Sequence, residues 1–585
     1  MTRPLTPNNQ LPDRIHWTWQ DGVVILAMVA LIFAIVDTAA QFTGTYNAKA
    51  VIATDPKVLP WYTAQTLLRM AIAYFLSLGF SILYAYVAYR WAIAAKILLP
   101  LLDILQSIPV LSFLPGVVLA LVALFPGQLL GVELASIILM FTGMAWNLTF
   151  SFYQSLCSIP KELIEAATTY RLNAFQRFWT LELPAGVIGL VWNSVMSVAG
   201  GWFFLMAIES FTLGKESFQL PGLGSYLSKA SNDGNLVAIG WGLVVLIGII
   251  VVLDFLLWRP LIAWAEKFKL ELVESENPPQ SSVLDFLWRS PTLKLFTQQI
   301  WIPFTQTVDR TLTHPHRLAD HSRRSATPHT PHPTPHTPIY WLNWVFASGF
   351  AFVVLWGTWE ATLLLKVLNP EDWWQVINGA ILTTLRVLLA LTLSVFWTVP
   401  LGVAIGRNPC LSKLLQPVVQ IAASVPATAL FPVLLLYLVQ WGGGLQVGSV
   451  VLMIMGTMWY VLFNVIAGAQ SIPSELFEAA TVYRLSRSQR WKTVILPGIF
   501  PYLVTGAVTA TGGAWNASVV SEYINFQGKT LTTPGLGEVI SQASAHNNYP
   551  LLLAATGVMS LIVVLTNRLI WRRLYKLAQD KYQLL

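Results

Sequence analysis

The hydrophobic residues of this chain fall into long runs separated by short polar segments. Most runs are about 20 residues long, the length that crosses a bilayer as an α-helix. The pattern predicts an all-α polytopic membrane protein with two sets of six membrane-spanning helices. The first set lies near residues 23–43, 61–89, 108–126, 132–156, 185–207 and 237–258, and the second near residues 340–365, 375–406, 424–440, 446–469, 499–521 and 549–570.

The two sets are homologous repeats. Between residues 158–184 and residues 471–497, 17 of 27 positions are identical at an offset of 313 residues. Upstream the offset is 317, and one four-residue length difference near residues 116–138 accounts for the change. The two halves therefore have the same orientation in the membrane. Parallel repeats of a transporter usually pack around a pseudo-two-fold axis along the membrane normal, and we expect that arrangement here.

Four segments follow from this organisation. Residues 1–20 form a polar N-terminal segment, too long before the first apolar run for a secretory signal. Residues 21–267 and 340–585 form the two transmembrane domains. Residues 268–339 form a linker that ends in repeated Thr, Pro and His. We interpret the linker as a flexible cytoplasmic tether, because Pro at this density prevents a helix. The alternative is a metal-binding tail.

Composition and charge support a membrane location. Hydrophobic residues make up 55% of the chain and charged residues 11%, and the mean hydropathy is +0.60. The net charge of +7 comes from Lys and Arg concentrated in the loops that are cytoplasmic if both termini are inside. The charge is therefore a topology signal, and no nucleic-acid footprint is visible. Cys157 and Cys410 are too few for a disulfide framework or a thiolate metal site.

The most informative repeat lies between the fourth and fifth spans of each half. Residues 165–184 read EAATTYRLNAFQRFWTLELP, and residues 478–497 read EAATVYRLSRSQRWKTVILP. Pro160 and Pro473 suit the first turn of a short helix, where no amide donor is needed. Acidic residues follow near the same helix end, where the helix dipole favours negative charge. Leu163, Ala166, Ala167 and Tyr170 are spaced to form one shallow face.

A second short helix is predicted to follow in each copy. Asn173 with Gln176, and Ser486 with Gln489, have capping-box spacing. We expect this second helix to end near Pro184 and Pro497. The prediction is a helix–turn–helix on the cytoplasmic surface, and the alternative is a structural loop that is simply duplicated.

These stretches resemble the cytoplasmic loop of the integral membrane subunits of bacterial ABC importers. That family has Glu-Ala-Ala, three residues, Gly, nine residues and an aliphatic-x-Leu-Pro ending, and both stretches match except at the Gly. Thr-x-x-Arg in each second span (residues 66–69 and 383–386) and PGLG (residues 221–224 and 534–537) are similar to the nitrate, sulfonate, taurine and bicarbonate branch. The chain therefore resembles a duplicated permease of an anion-transport system, with the type I importer transmembrane fold.

The resemblance implies that the two short helices are coupling helices, each of which docks on one ATP-hydrolysing subunit. The implied coupling residues are Glu162, Glu165, Ala166, Ala167, Arg171, Glu475, Glu478, Ala479, Ala480 and Arg484. Arg171 and Arg484 stand where the family has Gly, and a side chain in a left-handed turn costs about 1 kcal/mol. Either the turn differs here, or the arginines contact the partner.

The resemblance also implies partners and a location. They are two ABC ATPase subunits and a periplasmic or lipid-anchored solute-binding protein, in a bacterial inner membrane with both termini cytoplasmic. The chain itself is expected to be no enzyme and to hold no cofactor, with ATP-Mg bound by the partner ATPases. Its nearest phosphate-loop lookalike, FQGKT at residues 526–530, has Tyr523 where the first Gly belongs.

Polar residues inside the spans are candidates for the translocation pathway, because intramembrane charge is costly unless it is functional or paired. Arg69 and Arg386 occupy equivalent places in the second spans, and an anion would favour them. The alternative is that they hold helices together. Glu209 and Glu522 are candidates for capping or gating the fifth spans. Further candidates in the fifth spans are Asn193, Trp202, Trp515, Asn516, Ser518 and Ser521.

Two other classes of function remain open at this point. A secondary transporter also uses parallel repeats but needs coupling-ion carboxylates, for which Asp254 and Asp37 are the candidates. An intramembrane enzyme needs a nucleophile or metal cluster, and the sequence shows none.

Overall fold

The computed structural model describes residues 52–107, 109–110, 114–126, 128–213, 216–268, 281, 283–285, 355–440, 442 and 444–582. The predicted N-terminal segment, the predicted span at 23–43 and Asp37 lie outside these residues. Nearly all of the linker and most of the predicted span at 340–365 lie outside them as well, although residues 355–365 are helical.

The first half is built from helices and one β-hairpin. In chain order they are α1 (Leu59–Arg90), α2 (Ala92–Ser107), α3 (Leu114–Leu124), α4 (Leu129–Cys157), α5 (Lys161–Thr169), α6 (Ala174–Arg177), α7 (Leu183–Glu209), β1 (Ser210–Leu213), β2 (Glu216–Gln219), α8 (Leu223–Asn232), α9 (Leu236–Leu253) and α10 (Arg259–Ala265).

The second half repeats this order. Its elements are α11 (Pro370–Arg407), α12 (Pro409–Ser424), α13 (Ala427–Gln440), α14 (Gly444–Ser471), α15 (Ser474–Val482), α16 (Arg487–Arg490), α17 (Leu496–Ser521), β3 (Tyr523–Phe526), β4 (Lys529–Thr532), α18 (Leu536–Ala545), α19 (Tyr549–Thr566) and α20 (Arg572–Tyr582). Both hairpins are antiparallel, with Ser210 opposite Gln219 and Tyr523 opposite Thr532.

Eight helices in the described part of the chain are long and apolar enough to cross a membrane. They are Pro56–Arg90, Leu129–Cys157, Ala174–Glu209, Leu236–Phe268, Pro370–Arg407, Gly444–Ser471, Arg487–Ser521 and Tyr549–Ala578. These helices confirm the second, fourth, fifth and sixth predicted spans of each half.

The third predicted span of each half differs from the prediction of one continuous helix. In the second half, residues 424–440 do not form a single span, because α12 and α13 meet at a bend of 86°. Val425 at the bend is extended, with φ −73° and ψ 122°, since Pro426 disfavours a helical conformation for the residue before it. In the first half α3 has only 11 residues. The described helix of the first half is therefore too short to cross a membrane by itself.

The fifth spans are longer than predicted. The helix that begins at α6 was expected to end near Pro184, and its repeat near Pro497, and both expectations are wrong. Each short helix runs through a π-helical turn, Phe178–Glu182 or Trp491–Ile495, directly into α7 or α17. The N–H of Leu183 donates to the carbonyl of Phe178, five residues earlier. The wider turn accommodates a proline that would interrupt an α-helical ladder.

The chain divides into two compact units that do not coincide with the sequence halves. One unit comprises residues 1–41, 154–192 and 252–335, and the other residues 42–153, 193–251 and 336–585. The second unit contains an apolar core in which α14 packs between α11 and α17. The buried residues of this core are Val399, Val403, Val461, Val465, Ala469, Ile472, Ile495, Ile499 and Ala510. The domain boundaries predicted from the sequence stay a prediction.

Candidate functional site

The candidate coupling helices are short exposed helices in both copies. α5 follows Pro160, and α15 follows Pro473, each of which stands at the N-cap position. Their acidic residues point to the solvent, since Glu162 and Glu165 are exposed in the first copy. Glu475, Glu478 and Ala479 are exposed in the second. The carboxylates are therefore available to a partner.

The small-residue face is only partly exposed, which corrects the expectation of one uniform docking face. Ala167 is 6% exposed and its equivalent Ala480 is 2% exposed. Leu163 and Ala166 are half-buried, whereas Tyr170 is 79% exposed. Ala167 and Ala480 therefore pack inward and position the helices, because their side chains are covered by this chain itself.

The turn after each helix keeps a left-handed residue although glycine is absent. Arg171 has a φ of 53° and Arg484 a φ of 51°. The N–H of Arg171 donates to the carbonyl of Thr168 at 2.9 Å, and the N–H of Leu172 donates to that of Ala167 at 3.0 Å. These two bonds define a Schellman motif, and equivalent bonds follow α15. The turn is thus conserved between the copies, and the alternative of a different turn is excluded.

The two predicted capping boxes are confirmed. In the first copy the N–H of Gln176 donates to Oδ1 of Asn173 at 2.8 Å, and the N–H of Asn173 donates to Oε1 of Gln176 at 3.1 Å. Ser486 and Gln489 form the same reciprocal pair in the second copy. Each candidate docking element is therefore a hairpin of two short helices, α5–α6 or α15–α16, with both connecting ends hydrogen-bonded.

The hairpins are anchored differently at their second helix. Nε of Arg177 forms an ion pair with Oε1 of Glu182 at 2.7 Å, and Glu182 is buried in the π-helical turn. The equivalent of Glu182 is Ile495, and Nε of Arg490 instead donates to the carbonyl of Leu485 at 3.1 Å.

The second hairpin is also tied to α11. The guanidinium of Arg407, the last residue of that helix, lies 3.5 Å from the centroid of the Phe477 ring. Phe477 belongs to α15 and packs against the core between α11, α14 and α17. The helix α15 is therefore in direct contact with these spans.

Arg69 lies in a fully buried ion-pair cluster. Its Nε and Nη2 donate to Glu133 at 2.5 and 2.8 Å, and its Nη1 donates to Oε1 of Glu209 at 2.9 Å. The hydroxyl of Thr66 donates to the same Glu209 oxygen at 2.7 Å. With two carboxylates around one guanidinium, the charge of Arg69 is not available to an anion in this structure. The geometry favours the helix-packing alternative.

Arg386 has a simpler environment. Its Nη1 donates to Oε1 of Glu522 and to the carbonyl of Pro534, both at 2.7 Å, and its Nη2 donates to the hydroxyl of Thr533 at 3.0 Å. The Arg386 side chain is 14% exposed, whereas that of Arg69 is 0% exposed. The position equivalent to Glu133 is Gln446 or Val450, depending on the offset, and neither carries a carboxylate. The two clusters are therefore unequal.

Glu209 and Glu522 cap α8 and α18, the helices that follow the two β-hairpins. Oε2 of Glu209 accepts the N–H of Gly224 at 2.7 Å, and the N–H of Leu223 donates to the hydroxyl of Thr66 at 3.0 Å. The second copy repeats both bonds, from Gly537 to Glu522 and from Leu536 to Thr383, at 2.8 Å each. Both acidic residues thus satisfy orphan amides at a helix N-terminus.

The same contacts explain the glycines of the PGLG loops. Gly222 has a φ of 176°, so its backbone requires no glycine. A Cβ at Gly222 would overlap the carboxylate of Glu209, and one at Gly535 would overlap that of Glu522. The Thr-x-x-Arg and PGLG motifs therefore belong to one structural cluster. In each half this cluster connects the second span, the fifth span and the helix after the β-hairpin.

Sequence reasoning missed Glu133 as a partner of Arg69. The signal was present, since a single carboxylate in an apolar run is costly unless it is paired. Glu133 is 1% exposed, and its carboxylate is paired with Arg69, which lies 64 positions earlier.

The remaining pathway candidates have different environments. Trp202 and Trp515 are each 2% exposed, and the hydroxyls of Ser518 and Ser521 donate to carbonyls of their own helix. Asn193 is half-buried. Asn516 is also half-buried, and its Oδ1 accepts the N–H of Val110 at 2.8 Å. The Asn516 bond to Val110 reaches the other half of the chain.

Asp254, the candidate for a coupling-ion site, lies at the end of the sixth span of the first half. Its Oδ2 lies 2.9 Å from Nε of Arg259. The pair gives no specific support to a secondary transporter.

Comparison with known proteins identifies the architecture. The family model for the binding-protein-dependent transport system inner membrane component matches residues 77–259 and again residues 398–574, which together are more than half of the chain. A taurine transport system permease protein of Escherichia coli is 29% identical over 207 residues, which are 34% of this chain and 70% of that protein.

Two further relatives come from other transport systems. A bicarbonate transport system permease protein of Synechocystis is 25% identical over 194 residues, covering 30% of this chain and 68% of its own length. A nitrate import permease protein of Leptolyngbya laminosa is 28% identical over 139 residues, covering 24% of this chain and 48% of its own length. Each alignment therefore covers between about a quarter and a third of this chain. With the family region present twice, the chain belongs to the family of binding-protein-dependent transport system inner membrane components.

Proposed function

We propose that this chain forms the translocation pathway of an ABC importer for a small anion and is coupled to two separate ATPase subunits. The observation that carries the proposal is the duplicated, exposed hairpin of two short helices. One chain with two similar docking elements suits a transporter with two ATPase subunits.

The local structure of the hairpins supports a docking role. The carboxylates of α5 and α15 are exposed, and the capping box and the Schellman turn fix the backbone that presents them. A preorganised surface loses less conformational entropy on binding than a mobile loop does. The second hairpin also packs on the spans through Phe477 and Arg407. Docking at such an element is therefore linked to helix packing.

The proposed cycle uses these links. ATP binding closes the two ATPase subunits, and their closure moves the docked hairpins. The fifth spans move with them, because α6 and α16 continue into those spans without a break. The pathway then changes between inward and outward openings. ATP-Mg is held by the ATPase subunits, and this chain supplies no residue to hydrolysis.

The solute class comes from the relatives. They are named as permeases for taurine, bicarbonate and nitrate, all of which carry an anionic group. We propose an anion of this class, delivered by a periplasmic or lipid-anchored solute-binding protein in a bacterial inner membrane, with both termini cytoplasmic. Because Arg69 and Arg386 are ion-paired, selection of the anion is assigned chiefly to the binding protein.

Reconstitution tests the proposal. The full chain is co-expressed with the ATPase and binding-protein genes found beside its own gene, purified and placed in liposomes. We expect both ATPases to co-purify, and labelled taurine, bicarbonate or nitrate to accumulate only with ATP and the binding protein. Uptake that is driven by an ion gradient without ATP would contradict the proposal. Failure of all three anions with intact ATP-coupled complexes would contradict only the solute class.

A further inference from the structure

Two hydrogen bonds connect the halves at equivalent positions of the two fifth spans. The N–H of Val110, four residues before the start of α3, donates to Oδ1 of Asn516 in α17 at 2.8 Å. Reciprocally, the hydroxyl of Thr428, at the start of α13, donates to the carbonyl of Phe203 in α7 at 2.7 Å. Phe203 and Asn516 are equivalent at the offset of 313. Each fifth span thus bonds to a residue near the start of the third predicted span of the opposite half.

Both contacts lie at a similar depth. Phe203 and Asn516 lie about 8 Å before the last residues of α7 and α17, Glu209 and Ser521, at 1.5 Å per residue. Those ends lead into the β-hairpins, whereas the candidate coupling hairpins precede the other ends of the same helices. The contacts therefore occupy the part of the membrane that is distal to the coupling hairpins.

The chemistry of the two contacts is unequal. Phe203 packs against a core cluster of the second half that includes Ala427, Phe431 and Leu435. Its ring approaches Gly456, where a Cβ would be 3.6 Å away. Asn516 has an amide in place of this ring, and its Nδ2 donates to the carbonyl of Gly512 at 3.1 Å. One contact is thus flanked by an aromatic ring in an apolar cluster, and the other is held by a polar side chain.

Separation of the halves has different consequences at the two contacts. Withdrawal of Asn516 would leave the Val110 N–H without its partner, and an unpaired backbone donor is costly in a membrane unless water or a solute replaces the partner. Withdrawal of Phe203 would instead expose apolar surface of the second half to water. Entry of water or a polar solute therefore favours opening on the Asn516 side.

We propose that Phe203 and Asn516 are the gate residues at the distal end of the translocation pathway, and that the gate is unequal. The contact between Asn516 and Val110 breaks in each cycle to admit the hydrated solute, while Phe203 stays packed against the second half. The inference rests on the proposed function, because it requires a pathway between the halves whose opening is driven by the ATPases.

State-dependent cross-linking tests the gate. Val110→Cys with Asn516→Cys forms the test pair, and Phe203→Cys with Thr428→Cys the matched control pair, both with Cys157→Ser and Cys410→Ser. A short bifunctional thiol reagent is applied to the complete transporter, first without nucleotide and then trapped with ATP and vanadate. We expect the test pair to cross-link only without nucleotide, and the control pair to cross-link in both states.

The outcomes separate the two proposals. If the test pair cross-links equally in both states, Asn516 is not a gate residue. If the control pair is lost on trapping as well, the gate is equal and the inference is overturned. If the ATPases neither co-purify nor hydrolyse ATP, it is the proposed function that fails.

A second measurement does not depend on cysteines. Asn516→Leu removes the hydrogen bond that holds the closed gate, which we expect to raise ATP hydrolysis without binding protein about fivefold, equivalent to about 1 kcal/mol. Asn464→Leu is the control, because Asn464 is a half-buried asparagine of α14 whose Nδ2 donates within its own helix, to the carbonyl of Tyr460. Equal effects of the two substitutions, or no effect of Asn516→Leu, would overturn the gate.

Discussion

Arg69 binds Glu133 through two parallel hydrogen bonds, from Nε to Oε2 at 2.5 Å and from Nη2 to Oε1 at 2.8 Å. Bidentate geometry of this kind is the strongest form of an arginine–carboxylate pair. Because the pair is buried together with Glu209, it fixes the second span against the fourth and fifth spans.

We expect Arg69→Leu to destabilise the protein by about 3–5 kcal/mol, since it leaves two buried carboxylates without their cation. Arg386→Leu should cost less, because Arg386 is partly exposed and has one carboxylate partner. Thermal unfolding of the detergent-purified chain measures both. Equal losses of stability in the two variants would contradict the conclusion that the clusters are unequal. A loss of transport with unchanged stability in Arg69→Leu would show that Arg69 acts in the translocation pathway.

The exposed carboxylates of the coupling hairpins provide the second prediction. Glu165→Ala together with Glu478→Ala should reduce ATPase co-purification and solute-stimulated ATP hydrolysis more than either single substitution, since each half has its own docking site. Folding should be retained, because the helix-dipole term lost per residue is about 0.3–1 kcal/mol. The control is Glu371→Ala, an exposed first-turn carboxylate of α11. Wild-type coupling in the double variant would show that these helices are not the coupling elements.

The left-handed arginines provide the third prediction. Arg171→Gly and Arg484→Gly should each stabilise the turn by about 1 kcal/mol, because glycine adopts positive φ without steric cost. Arg487→Gly serves as the matched control and should destabilise by a similar amount, since Arg487 is helical. The melting temperature of each variant measures these changes in stability. A stabilised variant that loses ATPase coupling would mean that the arginine itself contacts the partner.

The close approach at the PGLG loops provides the fourth prediction. Gly222→Ala should destabilise by about 1–3 kcal/mol, since its Cβ must displace the Glu209 carboxylate from the amide that it caps. Gly200→Ala in α7 meets no atom within 4 Å and should be neutral or stabilising. The two variants compared by thermal unfolding give the test. Equal stability would mean that the loop shifts to accept the side chain.

The sequence predicted what depends on local pattern and on the repeat. The ends of the second spans, for example, were placed within a few residues of Leu59–Arg90 and Pro370–Arg407, because an apolar run must be as long as the bilayer is thick. The capping boxes were also predicted, since they involve residues three positions apart.

Features that depend on distant residues were not predicted. The bend at Val425 is a separate case, because its cause, Pro426, is the next residue, and the hydropathy of the surrounding apolar run conceals its effect. Helical spacing predicts that Ala167 lies on the docking face. Its burial depends on packing against other parts of the chain, which helical spacing does not reveal. The role of Glu133 depends on Arg69 in another span. Similarly, the sequence left open whether the turn at Arg171 and Arg484 differs from that of the family or the arginines contact the partner. The backbone angles of the two residues show that the turn is kept.

The π-helical turn in front of α17 has a mechanical consequence. Because the helix continues through it from Arg487 to Ser521, α16 and the fifth span form one rod about 50 Å long. A rod that pivots near its middle acts as a lever, so that a small displacement imposed at one tip appears at the other tip with opposite sign. Asn516 sits close to that far tip. If two ATPases press on such levers, the helices themselves move the far end of the pathway. No rearrangement of the side chains between the two ends is then required.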